Sequence, residues 1–219
     1  MDNRLKILKE RQDVIFRSLA SVLGAMASPV RIRLIHFLSQ APLTVEVMAG
    51  KIDESIANTS MHLRKMLNEG LVNVETLGQK RLYSLSSAVL EFWEYYQDFA
   101  LKLDPTLKLE MLDVFGEINW TLSLDETKKL VHAGKVILLD VRPKDEVFDK
   151  DESGLVLHIP QADLKLSLKK ISKKKKVLVY CRGRLCALSA YSVNYLRENG
   201  YKAYRLDISW NVVKGVIYG

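Results

Sequence analysis

Cysteine is scarce: the 219-residue chain holds two, Cys181 and Cys186, too few for a disulfide framework. Long apolar runs are missing too. The longest, Leu19 to Ala27, is broken by Ser21 and Gly24 and falls short of the roughly 18 residues that a membrane span needs. The N-terminus mixes Asp2, Glu10 and Asp13 among its basic residues and lacks the apolar stretch and small-residue cleavage site of a secretory signal. Together these absences predict a protein of the reducing cytoplasm, with free thiols and no membrane partner. Eleven glycines and five prolines do not make a collagen repeat, and a chain that is 48% hydrophobic and 27% charged is not disordered. That composition is ordinary for a soluble globular protein, and the length suits two small domains.

The net charge is +7. Lys and Arg outnumber Asp and Glu by 13 to 11 over residues 1–102 and by 20 to 15 over residues 103–219, so the excess lies mainly in the second half. A positive balance favours polyanions, although charge speaks first to solubility and non-specific association.

The first half reads as helix after helix. Leu5, Leu8, Ile15, Leu19 and Leu23 recur at helical intervals and predict an amphipathic helix from Leu5 to Ala25. Ser28 and Pro29 suit the start of a second helix, which reaches the break at Ala41-Pro42. A third runs from Val45 to Ile52. Ser55 can cap a fourth, from Ile56 to Asn68, that Gly70 terminates. The period then changes to two, with Leu71, Val72 and Val74 and then Arg81, Leu82 and Tyr83 flanking Gly78-Gln79, the pattern of a hairpin. Helix resumes at Ser87 and weakens near Leu103-Asp104-Pro105. The expected organisation is residues 1–102 as one domain, 103–121 as a linker and 122–219 as a second domain.

Helix, turn, helix and hairpin describe a winged helix module, which lays one helix in the DNA major groove and reaches the backbone with its wing. On the fourth helix Thr59, Leu63, Met66 and Leu67 share an inward face. Ala57, Asn58, Ser60, Met61, His62, Arg64 and Lys65 are left nearer the groove. Asn58 is the best base reader, since an amide pairs bidentately with adenine. Arg64, Lys65, Lys80 and Arg81 suit phosphates. The bland alternatives are that these charges solvate a helix surface and that His62 is a packed structural histidine. The order of helices, the Ile56-Ala57-Asn58-Thr59-Ser60 start, Met61-His62-Leu63, Gly70-Leu71-Val72 and the basic wing resemble the ArsR family of winged-helix repressors over about residues 10–100. The start looks like the branch fused to a rhodanese domain.

That resemblance implies a homodimer formed through the first and last helices of the module. The aromatic positions Phe92, Trp93, Tyr96 and Phe99 serve either such a contact or the chain's own core. Many members of that family sense metals through cysteine or histidine pairs. Here residues 1–102 hold no cysteine and only His36 and His62, so neither a metal nor another cofactor is expected.

The second half alternates strand and helix. Lys135 to Val141 and Lys176 to Tyr180 suit buried parallel strands, Ala187 to Asn199 is helical, and a third strand spans Tyr201 to Leu206. The expected architecture is mixed: an α-rich winged helix-turn-helix, then an α/β domain with a mainly parallel sheet. Asp145 to Gly154 forms a long segment with five acidic residues, and Lys173 to Lys176 is a lysine run that reads as a solvated corner or an aid to DNA or acidic-partner contact.

Cys181, Arg182, Gly183, Arg184, Leu185 and Cys186 lie between a buried strand and a helix. Loop amides, the helix dipole and the two arginines predict an anion site and a Cys181 thiol of lowered pKa, able to hold a sulfane sulfur as a persulfide; the bland alternative is an inert buried thiol. With Asp140-Val141-Arg142, Glu146 and His158-Ile159-Pro160, this loop resembles the rhodanese family over about residues 122–219. The resemblance implies that Cys181 accepts sulfur from a small donor such as thiosulfate or a persulfide, and that Arg182 to Cys186 cradle it. Cys186 either resolves the persulfide into a disulfide or simply packs. Phosphatases and arsenate reductases of related fold need an arginine six positions after the cysteine, where this chain has Ala187. Leu157 and Gln161 replace the glycines that usually flank His-Ile-Pro, and Ile208-Ser209 replaces the usual glycine pair. The expectation is a DNA-binding transcriptional regulator, a repressor by its resemblance, whose second domain senses or transfers sulfur through Cys181. The alternative is chiefly a sulfurtransferase whose winged helix serves dimerisation or localisation; a third possibility is a scaffold that binds a partner.

Overall fold

A computed structural model describes residues 3–115, 120–147 and 151–218. The chain divides into two compact units, Met1–Leu38 with Pro42–Phe92, and Ser39–Ala41 with Trp93–Gly219.

In the first unit, α1 (Asn3–Met26) is followed by α2 (Pro29–Leu38), which proline opens because its missing N–H falls among the unpaired first-turn donors. The side chain of Thr44 accepts from the Val47 amide to cap α3 (Val45–Ile52), and Ser55 does the same from the Asn58 amide for α4 (Ile56–Asn68). Between them Asp53 adopts the left-handed conformation at φ 55°, which a short polar side chain tolerates. The strands β1 (Val72–Leu77) and β2 (Lys80–Leu85) pair antiparallel, with Leu77 opposite Lys80 across Gly78-Gln79. Leu43 bridges to Tyr83 through two backbone bonds of 2.9 Å, tying the base of this wing to the segment before α3. Leu34, Ile35, Met48, Leu63, Met66 and Val72 fill the core. In contrast, α1 leaves Leu8, Ile15, Leu19 and Leu23 more than half exposed.

The helix α5 (Ser87–Leu103) begins in the first unit and ends in the second. Next comes α6 (Thr106–Phe115), inside the stretch expected to be a linker. Asp104 accepts from the Thr106 amide at 2.9 Å and from its hydroxyl at 2.6 Å, and Pro105 presets the entry. Residues 116–119 and 148–150 lie outside the described residues, and with them part of the acidic segment from Asp145 to Gly154.

The sheet of the second unit is parallel throughout, in the order β3 (Thr121–Leu122), β7 (Ala203–Leu206), β6 (Lys176–Tyr180), β4 (Val136–Asp140), β5 (Val156–His158). The three anticipated strands form its centre, and the short edge strands β3 and β5 complete it. Alternation along β4 and β6 feeds two cores. Leu139, Val177 and Val179 pack with Leu164 of α8 (Leu164–Ser167) and with Val193 and Leu196 of α9 (Ala187–Glu198) on one face. On the other, Leu138, Leu178 and Tyr180 pack with Val131 of α7 (Leu124–His132) and with Trp210, Val213 and Val216 of α10 (Trp210–Tyr218). Among the described residues no single helix is long and apolar enough to cross a membrane.

Candidate functional site

The carboxyl end of β6 delivers Cys181 into a turn that closes at Cys186, directly before α9. Gly183 makes the turn possible: its φ is 92°, and an added Cβ would sit 3.4 Å from the Ser209 amide nitrogen. Both thiols are buried, and their sulfurs stand 2.8 Å apart.

Two buried sulfurs this close share one proton. Burial, and then the contact with Cys186, push the Cys181 thiol well up, so Cys181 keeps the proton. Cys186 is lowered to about 6, first by the hydrogen bond from Cys181 and then, against its own burial, by the Arg182 amide, the Arg182 guanidinium and the Leu188 amide. The expected low-pKa Cys181 is therefore corrected. Its position at the strand end is dry, whereas Cys186 stands at the N-terminus of α9, where helix amides favour an anion.

The arginines also divide. Arg182 is held bidentately by Glu146, with Nε and Nη2 each 2.6 Å from a carboxylate oxygen, and its Nη1 comes to 3.9 Å from the Cys186 sulfur. The side chain of Arg184 turns away from the thiols to pair with Asp98 on the second half of α5, so it does not help cradle them. Its carbonyl accepts from Arg205 Nη2 at 2.6 Å, and Arg205 Nε donates to Ser189 at 3.1 Å. Leu185 is partly exposed on the outside of the turn. Arg205 was not anticipated, although a lone arginine in the otherwise apolar β7 is a signal of a buried polar role. Asp140 and Arg142 form a buried bidentate pair, with the guanidinium 5.3 Å from the Trp210 ring, and His158 Nε2 lies 2.9 Å from the Arg142 carbonyl. That motif braces the strand ends, and Cys181 lies near enough to act electrostatically on the Arg142 guanidinium.

In the first unit α4 buries Thr59, Leu63 and Met66 and presents Ala57, Met61, Arg64 and Lys65 outward. Ser60 is half-buried. Asn58 is also half-buried, and its Nδ2 donates to Glu54 at 2.7 Å, so base reading needs that bond exchanged. Lys80 and Arg81 are exposed on the wing, Arg81 lying 5.9 Å from the Tyr83 ring. His62 is half-buried: its Nδ1 accepts from Arg31 Nη1 at 3.2 Å, and burial and then the Arg31 charge lower its pKa. Arg31, unnoticed in the sequence, is buried and also donates to the carbonyls of Gly24 and Ala27, locking the corner between α1 and α2. Of the aromatic positions on α5, Trp93 is core, Phe92 and Tyr96 are half-buried, and Phe99 is exposed beside the unanticipated Tyr95 and Leu103. Among the described residues no group of three or more His, Cys, Asp and Glu gathers as a metal site.

Residues 26–75 match the family description "Helix-turn-helix domain", and residues 123–215 match "Rhodanese-like domain". The first unit thus carries a helix-turn-helix domain and the second a rhodanese-like α/β domain. It is similar over most of its length to a curated relative, the HTH-type transcriptional regulator Rv0324 of Mycobacterium tuberculosis, at 26% identity over 199 residues, covering 90% of this chain and 88% of the relative. Among solved structures, the homodimeric winged helix-turn-helix DNA-binding domain of Mb0332 from Mycobacterium bovis aligns at 23% identity and a TM-score of 0.40, covering 41% of this chain and 84% of that one. NolR from Sinorhizobium fredii aligns at 26% and 0.39, covering 41% and 90%.

Proposed function

We propose that the protein is a cytoplasmic, dimeric repressor that binds duplex DNA through α4 and the wing, and that sulfane sulfur loaded on the Cys181–Cys186 pair changes its DNA affinity. The observation that carries the DNA reading is the two-faced α4, with a buried Thr59, Leu63 and Met66 side and an outward side of Ala57, Met61, Arg64 and Lys65, the arrangement a groove-reading helix needs. A second copy is the natural cover for the apolar side of α1, where exposed Leu, Ile, Val and Phe side chains far exceed what an isolated surface helix carries.

The sulfur pair supplies the chemistry. A Cys186 thiolate attacks the outer sulfur of a small persulfide RSSH, the S–S bond breaks, RS⁻ leaves and Cys186 carries the persulfide. With thiosulfate the leaving group is sulfite. Cys181, 2.8 Å away, then gives up its proton and attacks the Cys186 sulfur, forming the Cys181–Cys186 disulfide and releasing hydrosulfide. Both sulfurs are at most 2% exposed by residue, so donor entry requires the turn to open, an arrangement that suits occasional loading better than rapid turnover. Cys181 thus acts as resolver in this reading, and Cys186 as the entry point.

A salt-dependent shift on promoter DNA tests the regulator. Arg64→Ala weakens it, and the absence of any sequence preference at every salt would refute the reading. A thiosulfate-to-cyanide assay that turns over fast and depends on Cys181 or Cys186 would favour the sulfurtransferase instead.

A further inference from the structure

We propose that the amino edge of the parallel sheet in the second unit is a second, sequence-independent contact surface for the phosphate backbone of duplex DNA. The inference rests on the DNA reading above and extends it to a part of the chain outside the winged helix. The amino ends of three adjacent strands each carry lysine. Lys173 to Lys176 lead into β6, Lys135 precedes β4, and Lys202 precedes β7. The register pairs Val136 with Lys176 and Val177 with Ala203, so Lys135 falls beside Lys175, and Lys202 beside Lys176, on strands about 4.8 Å apart. Folding thus joins into one row lysines that are up to 67 positions apart in sequence. Exposed Lys169 and Lys170, in the turn before this run, extend it.

The surroundings do little to neutralise this row. From Leu164 to Lys176 there are seven lysines and no acid, and Glu198 is the acid before Lys202. Glu126 is a second acid near the edge, close enough for Lys176 to act on its carboxyl. The row holds lysine and no amide or arginine at its exposed positions. A flexible ammonium is a point charge without the planar fork that reads base edges, so the surface suits phosphates and positions without specifying. A lipid surface would want a cluster of apolar anchors among the cations; Leu166, 92% exposed, is flanked by Lys165 and Ser167, and Trp120, 44% exposed, lies against the Arg197 guanidinium. Because β6 runs from Lys176 at this edge to Tyr180 and Cys181 at the other, a duplex here leaves the thiol turn uncovered.

The test is fluorescence anisotropy of the full chain on a random-sequence duplex of about forty base pairs, titrated between roughly 50 and 200 mM salt. The quadruple variant Lys169→Gln, Lys170→Gln, Lys174→Gln and Lys175→Gln removes four exposed charges and spares Lys173, whose Nζ donates to the Asn199 carbonyl. At about 0.9 per neutralised phosphate, its log-affinity against log-salt slope becomes shallower by about 2 to 4, while Arg64→Ala changes the slope by about 1. An unchanged melting temperature for the quadruple variant establishes that it folds. An unchanged slope in that variant, with Arg64→Ala still weakening binding, overturns this surface and leaves the winged-helix reading intact. An unaltered protein that binds no duplex at any salt overturns both. Loss of binding to phosphatidylserine vesicles without a change in the DNA slope assigns the surface to membranes and also overturns the proposal.

Discussion

Replacing Cys181 with alanine removes the thiol whose hydrogen bond is the largest cause of the low Cys186 pKa. At about 6, Cys186 is about nine-tenths thiolate at pH 7; near its ordinary 9.0 it would be about one-hundredth thiolate. The Arg182 and Leu188 amides and the Arg182 charge remain in the variant, so the midpoint is expected to rise from about 6 without reaching 9.0. Alkylation rate is a poor readout of this change. A more basic thiolate is a stronger nucleophile, with a Brønsted coefficient of about 0.45, so each unit of rise in pKa returns about threefold in intrinsic reactivity and masks part of the loss at pH 7. An ultraviolet absorbance titration of the thiolate has no such compensation and needs no reagent to enter the buried turn. Cys181→Ser, which keeps a donor hydroxyl, falls between the alanine variant and the unaltered protein. A midpoint that stays near 6 in Cys181→Ala, or a low-pH thiolate that survives in Cys186→Ala, would refute the assignment of the shared proton.

Glu146→Gln leaves the largely buried Arg182 guanidinium without its countercharge, and urea unfolding is expected to show a loss of about 2–4 kcal/mol; a loss below about half a kcal/mol contradicts the pairing. Gly183→Ala forces an L side chain to φ 92° with its Cβ 3.4 Å from the Ser209 amide, at a cost of about 1–2 kcal/mol read from thermal unfolding; a neutral result would show that the turn is not held in this conformation. His62 has a folded pKa below its unfolded 6.5, so its contribution to stability is complete above that value and is lost as pH falls through the folded pKa. Urea midpoints measured between about pH 7 and pH 5 should decline less steeply in His62→Gln, and equal slopes would contradict the neutral, Arg31-bonded imidazole.

Local signals were strong where side-chain chemistry acts within a few residues. Ser55 before Ile56, Pro29 after Ser28, and Gly78-Gln79 between alternating runs marked α4, α2 and the wing closely, because caps and turns are decided by short-range bonds. The two-residue β3 and three-residue β5 carry too little pattern to stand out, and they exist because neighbouring strands offer them partners. Asp104-Pro105-Thr106 read as a break, yet the same residues start α6, since a capping aspartate and a first-turn proline mark the end of one helix and the beginning of the next equally well.

The site was half legible. The strand-to-helix position of the thiol turn follows from the apolar run that ends at Tyr180. Which sulfur keeps the proton depends on burial and on a 2.8 Å contact that only folding creates. Arg184 illustrates the same limit: its proximity in sequence suggested a cradle, and tertiary pairing with Asp98 took the charge elsewhere. Arg31 bonds the His62 ring 31 positions away and Arg205 the Arg184 carbonyl 21 positions away, which spacing alone does not encode.

The most direct measurement pairs intact mass with duplex-binding affinity on a single sample, before and after exposure to a persulfide donor. The mass is expected to register either one added sulfur or the loss of two hydrogens, the change to require Cys186, and DNA affinity to shift along with it, since two sites are coupled only if occupancy of one alters affinity at the other. A fully loaded protein that binds the duplex as tightly as the unloaded one would contradict it.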